Sequence, residues 1–177
     1  MLAGAVKRIA ANETLPKLDI GSGASRRDED YITVDAFHPD ADVRAEMWKL
    51  PFRDNGVEAI WCCHALEHAP RSKVIETLTE FFRVLRPGGR AYVLVPNFDY
   101  VARYWLIGGA DKQRDLAWAE AMVYGLQENE GGFHKSAFNA ELLRGDLQGV
   151  GFEDVTISLK WTHNQETLQG VGKKPNG

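Results

Sequence analysis

Lys17-Leu18-Asp19-Ile20-Gly21-Ser22-Gly23 is a short apolar run that ends in glycines. It reads as a strand entering a tight turn, where glycine tolerates backbone angles closed to other residues and leaves amide N–H groups open to a ligand. Downstream, Tyr31-Ile32-Thr33-Val34 is β-branched and closes on Asp35, which predicts a second strand. Asp42–Met47 is a weaker third strand and Val57–Cys63 a fourth. Arg71–Leu85 sets Val74, Ile75, Leu78, Phe81, Phe82 and Leu85 on one face of a helix, and Pro87-Gly88-Gly89 stops it. Arg90–Val95 is a fifth strand. Asn139–Gln148 predicts a helix with Asn139 as N-cap and Gly149 just past its end. Asp154–Lys160 and Glu166–Lys174 are the sixth and seventh strands, the last running antiparallel.

Strands alternating with helices predict an α/β protein, a Rossmann-like three-layer sandwich. Its sheet is expected to be mostly parallel and seven-stranded with an antiparallel last strand. The 177 residues fit one domain, spanning 1–177. Residues 97–135 interrupt the alternation and hold 7 of the 18 aromatic residues, nearly twice their share. They are expected to form a helical lid, with helical patches at Tyr100–Ile107 and Lys112–Tyr124. The first residues, MLAGAVKRIAANETL, are too polar for a signal peptide and suit a short amphipathic helix over the sheet.

In open α/β sheets, ligands bind beyond the carboxyl ends of the strands. Three features fall there. The glycine turn is the first. Asp35, at the end of the second strand, can accept hydrogen bonds from both hydroxyls of a ribose. Glu46-Met47 pairs a carboxylate with an apolar side chain, a combination suited to an amino group on a flat ring.

The net charge of −4 gives no general attraction to phosphate backbones, and the doublets Arg26-Arg27 and Lys173-Lys174 read as solvated faces. Cys62 and Cys63 are neighbours on a strand and point to opposite sides, which suits two free thiols in a reducing cytoplasm. No apolar run is long enough for a membrane span. Arg26 stands where a dinucleotide fingerprint needs its third glycine, which argues against a dehydrogenase. His64 and His68 have i, i+4 spacing, but no third ligand follows nearby, so no metal is expected.

Leu18–Gly23, Val34-Asp35, Leu50-Pro51-Phe52, Ala65-Leu66-Glu67-His68 and Val84-Leu85-Arg86-Pro87-Gly88-Gly89, taken in order, resemble the class I S-adenosylmethionine-dependent methyltransferases. The likeness is to the small bacterial-type, Methyltransf_11-like group. Tyr124-Gly125, Phe133-His134-Lys135 and Gly151-Phe152 extend it over nearly the whole chain. Ser25 stands where the group's loop often has a third glycine, and Glu46 replaces a commoner aspartate.

The resemblance implies S-adenosylmethionine as cofactor and methyl transfer as activity, with S-adenosylhomocysteine as product. Asp19, Gly21, Ser22 and Gly23 would hold its methionine part, with His64 nearby. Asp35 would hold the ribose, Ala36 or Phe37 would lie against the adenine, Glu46 near its amino group and Met47 on its ring. The acceptor is expected to be a small molecule or a saccharide- or lipid-linked group. Tyr100, Tyr104, Tyr124, His134 and Lys135 are its expected contacts. His134 and His64 are the expected general bases, because imidazole titrates near neutrality. The segment after the fourth strand, Cys63-His64-Ala65-Leu66, lacks the Pro-Pro-aromatic run of enzymes that methylate nucleic-acid bases, so no nucleic acid partner is expected. A homodimer is the expected assembly. Two other readings stand beside this one: a cofactor-binding partner subunit without activity, and an aminopropyl-type transferase on the same fold.

Overall fold

A computed structural model describes residues 15–107, 112–162 and 165–177. The expected amphipathic helix at the start of the chain lies outside them. The parallel strands β1 (Lys17–Ile20), β2 (Tyr31–Val34), β3 (Val57–Cys63) and β4 (Leu85–Pro96) are joined by β5 (Glu153–Thr162) and β6 (Gln165–Lys173). They form one six-stranded sheet in the order β2-β1-β3-β4-β6-β5, in which β6 runs antiparallel to both neighbours. The helices are α1 (Arg71–Val84), α2 (Phe98–Ile107), α3 (Lys112–Tyr124) and α4 (Ala140–Val150).

The architecture is the expected Rossmann-like one, with six strands among the described residues where seven were expected. The missing one is Asp42–Met47, which makes a single bridge, Val43 to Val34. Asp42 explains the difference. Its Oδ2 accepts the backbone N–H of Thr33 at 3.0 Å and the Thr33 hydroxyl at 3.1 Å, and Arg26 pairs with it at 2.8 Å. A side chain thus fills the hydrogen-bonding edge that a third strand would have used.

The core follows strand alternation. Ile60 and Cys62 of β3, and Ala91, Val93 and Val95 of β4, are buried against Val74, Leu78 and Phe81 of α1 and Leu143 and Leu147 of α4. On the opposite face Trp61 and Tyr92 stay half-exposed, and the Arg27 guanidinium lies 3.4 Å from the Trp61 ring centre. Arg27 is exposed, as expected, and also stacks its guanidinium on the Trp61 ring.

Helix ends are set by identifiable groups. Asn139 caps α4 by accepting from Leu142 N, and Gly151 closes it at φ 110°. The helix continues through Gly149, two residues past the expected stop, because Gly151 is the residue that turns left-handed. Lys174 Nζ donates to the carbonyls of Phe82 (2.7 Å) and Leu85 (2.8 Å), satisfying the last turn of α1. Beyond it, Pro87-Gly88-Gly89 sits in a bulge of β4, where Val57 faces Leu85 and Ala59 faces Arg90.

Arg71 on α1 grips Asp146 on α4 through two hydrogen bonds of 2.6 Å, and Asp146 is only 6% exposed. Arg71→Ala strands this carboxylate among apolar neighbours. It is expected to lower stability by about 1–3 kcal/mol, read as a lower urea midpoint with an unchanged slope.

Candidate functional site

The carboxyl ends of β1, β2 and β3 open onto a cavity of about 930 Å3. That volume lies within the roughly 300–1,000 Å3 typical of small-molecule sites. One wall is the glycine turn. Gly21 has φ +67° and its N–H donates to Val34 O at 2.7 Å, so the turn is folded back against β2. A Cβ at Gly21 would sit 2.2 Å from the Cβ of Ala65. Only glycine lets the turn lie this close to the segment after β3.

Asp35 is the hub of that wall. Its Oδ2 accepts from Gly23 N at 2.9 Å, and its Oδ1 accepts from Phe37 N at 2.8 Å and His38 N at 2.9 Å. One carboxylate thus ties the glycine turn to the loop after β2. A carboxylate offers about four lone-pair sites, two on each oxygen, so Oδ1 is filled and Oδ2 keeps one toward the cavity.

Of the residues expected at a cofactor site, Gly21, Gly23, Asp35, Ala36, Phe37, Glu46, Met47 and His64 line this cavity together. Asp19 and Ser22 do not line it. Asp19 lies inside β1, buried, and its Oδ2 accepts Arg27 N at 2.9 Å, which anchors the far end of the glycine loop. Burial pushes its carboxyl up from the usual range, against the pull of Arg27 and Arg26. The Ser22 hydroxyl is buried without a hydrogen-bond partner.

The other wall comes from far along the chain. Asn129 to Gly132 and Lys135 face the cavity, with His68 beside them. Gly131 packs directly on Phe37, since a Cβ there would fall 2.8 Å from the ring. This segment is sewn to the turn after β3. Lys135 N and Ser136 N donate to Glu67 O at 2.8 and 3.0 Å, and the Ser136 hydroxyl donates to Ala69 O at 2.7 Å. Sequence reasoning passed over Asn129–Gly132, Trp48 and His68 as cavity residues. Gly131-Gly132 was the available signal, a backbone able to approach a ring closely.

Of the expected acceptor contacts, Lys135 lines the cavity, while Tyr100, Tyr104, Tyr124 and His134 do not. Tyr100 and Tyr104 form a ring cluster with Trp118 of α3, and Tyr100 meets Trp161 of β5 at 6.0 Å. Burial and the neighbouring Tyr104 push the Tyr100 hydroxyl up to about 12. Tyr124 is half-exposed.

The imidazoles gather at the β3 end. His64 takes a left-handed φ of +51°, uncommon for a non-glycine residue and often found at functional sites. Its Nε2 is 3.0 Å from the Thr162 hydroxyl, and its Nδ1 is 3.3 Å from Glu67 Oε1. His134 stands behind His68, edge to face with ring centres 4.9 Å apart. Burial pushes its imidazole down from the usual value.

Residues 17–93 match the family described as a methyltransferase domain. A ubiquinone/menaquinone biosynthesis C-methyltransferase of Desulfotalea psychrophila is 31% identical over 128 residues, covering 64% of this chain and 50% of that protein. The chain thus spans about half the length of that curated relative. A SAM-dependent methyltransferase from Archaeoglobus fulgidus superposes with TM-score 0.62 at 14% identity, covering 98% of this chain and 92% of the other. One from Methanosarcina mazei gives 0.61 at 16% identity, covering 94% and 95%. A Haemonchus contortus phosphoethanolamine-type N-methyltransferase, solved with phosphomonomethylethanolamine and S-adenosylhomocysteine, gives 0.57 at 12% identity, covering 98% and 52%. Among the described residues no helix is long and apolar enough to cross a membrane.

Proposed function

We propose that the chain is a class I S-adenosylmethionine-dependent methyltransferase, a reading supported by the match of residues 17–93 to a methyltransferase domain, and that it transfers a methyl group from S-adenosylmethionine to a small-molecule or saccharide- or lipid-linked acceptor. The observation that carries this reading is one cavity lined jointly by the glycine turn, Asp35, Glu46-Met47 and the His64/His68/Lys135 end.

The residues fit the cofactor. Asp35 offers a ribose its Oδ2, in a carboxylate already fixed by three backbone N–H groups. Glu46 and Met47 would hold the adenine at its amino edge and face. The open turn at Gly21 and Gly23 would take the amino-acid part. Bound there, the cofactor supplies a methyl group on a sulfonium, a good leaving group.

The protein's own tasks are then to position the acceptor and exclude water. Asn129–Gly132 closes the cavity over Phe37, which serves the second. Lys135 and the rings of His64 and His68 serve the first, and they favour an acceptor with polar or anionic groups. Of the rings expected to receive a flat acceptor, Tyr100 meets Trp161 edge to face and Tyr104 meets Trp118 instead. His134 lies behind His68, off the lining of this cavity. The continuation of the cavity past His64 to His68 and Lys135 favours transfer over mere cofactor binding.

Titration calorimetry with S-adenosylhomocysteine tests the reading. One equivalent is expected to bind, with NADH giving no heat. Absence of S-adenosylhomocysteine binding removes the proposal.

A further inference from the structure

Glu67 is the most deeply buried charged residue among the described residues. It is 1% exposed, in the turn after β3, and neither carboxylate oxygen makes a hydrogen bond. His64 Nδ1 approaches Oε1 to 3.3 Å without hydrogen-bond geometry. Buried carboxylates are ordinarily paired or ligate a metal, because leaving one uncompensated is costly.

Two imidazoles converge on the same point. One ligand atom each from Glu67, His68 and His134 lies within 4.8 Å of the others. The ring hydrogen bonds decide which nitrogens are available. His68 Nδ1 is 3.0 Å from Phe133 O, and His134 Nδ1 is 2.8 Å from Met122 O. A carbonyl only accepts, so each Nδ1 carries the proton and donates. In the neutral ring that leaves a lone pair on each Nε2. Metal-bound histidines show this pattern, with the second ring nitrogen donating to a backbone carbonyl that fixes tautomer and orientation.

We propose that Glu67, His68 Nε2 and His134 Nε2 form a binding site for a divalent cation of the zinc class. Two imidazoles and a carboxylate suit zinc or iron(II) and leave one or more coordination positions open. Metal bonds of about 2.0–2.2 Å bring ligand atoms to about 3–3.5 Å of each other, a small closure of the present cluster. His68 lines the large cavity, so an open coordination position lies beside it.

The site joins two distant segments: the turn after β3 supplies Glu67 and His68, and the stretch returning from α3 supplies His134. Bound metal would pin the cavity's far wall. The sequence hid this because the third ligand stands 66 residues from His68. The inference does not depend on methyl transfer.

The test uses the full chain after chelator treatment, titrated with Zn2+ alone and followed by calorimetry and thermal unfolding. One equivalent should bind and raise Tm. Glu67→Gln and His134→Gln should each weaken uptake by about 10-fold or more, while His38→Gln should not. S-adenosylhomocysteine binding checks that each variant is folded and reports separately on the methyltransferase reading. A readout without variants is the histidine 15N spectrum of the wild type, in which Zn2+ should shift Nε2 of His68 and His134. No uptake, uptake unchanged in both variants, or shifts confined to other histidines overturns the site.

Discussion

Gly21→Ala is expected to destabilise the chain by about 2–5 kcal/mol. Two costs combine. An L-residue at the observed φ of +67° costs about 1–2 kcal/mol. The added methyl would lie 2.2 Å from the Ala65 Cβ, and relieving such an overlap in a packed site costs about 1–3 kcal/mol. Against a net stability of roughly 5–15 kcal/mol, the loss is large. The geometry also specifies a rescue. Apart from the Ala65 Cβ, the nearest atom is the Ala65 Cα at 3.5 Å. Ala65→Gly in the Gly21→Ala background should therefore recover part of the clash cost and none of the torsional cost. Urea midpoints of the four proteins in this cycle give the coupling. Strictly additive losses would show that the two methyl groups do not compete for one space.

Asp35→Ala is expected to weaken S-adenosylhomocysteine binding on the order of 10- to 100-fold. One acceptor site on its Oδ2 remains for a ligand, and losing one hydrogen bond to a charged acceptor costs about 1.5–3 kcal/mol. The variant also frees the N–H groups of Gly23, Phe37 and His38, so a distorted turn could mimic a lost ribose contact. A 2′,3′-dideoxy analogue separates the two. Wild type should prefer the natural ligand strongly, and Asp35→Ala should bind both alike. Equal preference in wild type and variant would take the ribose away from Asp35.

The floor of the site was legible in the sequence because local chemistry fixes it. Lys17–Gly23, Tyr31–Asp35 and Glu46-Met47 each carry their own turn or strand signal, and the parallel sheet brings them to one edge. The rest depended on distant partners. Asp42 looked like the start of a strand, yet its side chain took the donors of Thr33. Tyr100 and Tyr104 looked like acceptor contacts because they follow β4, but Trp161 of β5 and Trp118 of α3 offered them rings to stack on. Lys174 looked solvated until the last carbonyls of α1 lay beneath it. Nothing within a few residues of any of these positions announces its partner.

The excursion between β4 and α4 is closed at its root. Asn97 bridges Phe138, and Phe98 N donates to Phe138 O at 2.8 Å. The two ends of the segment are thus held side by side by the sheet, whatever the intervening chain does. Changing the length of a loop whose ends are already fixed costs little entropy, about 0.6 kcal/mol per doubling. Changes of length within 98–137, away from the contacts of Tyr100 and of Lys135-Ser136, are therefore expected to be tolerated. On the proposed function, a new acceptor preference is expected to be gained by rewriting this stretch, with the edge at Gly21 and Asp35 left as it is.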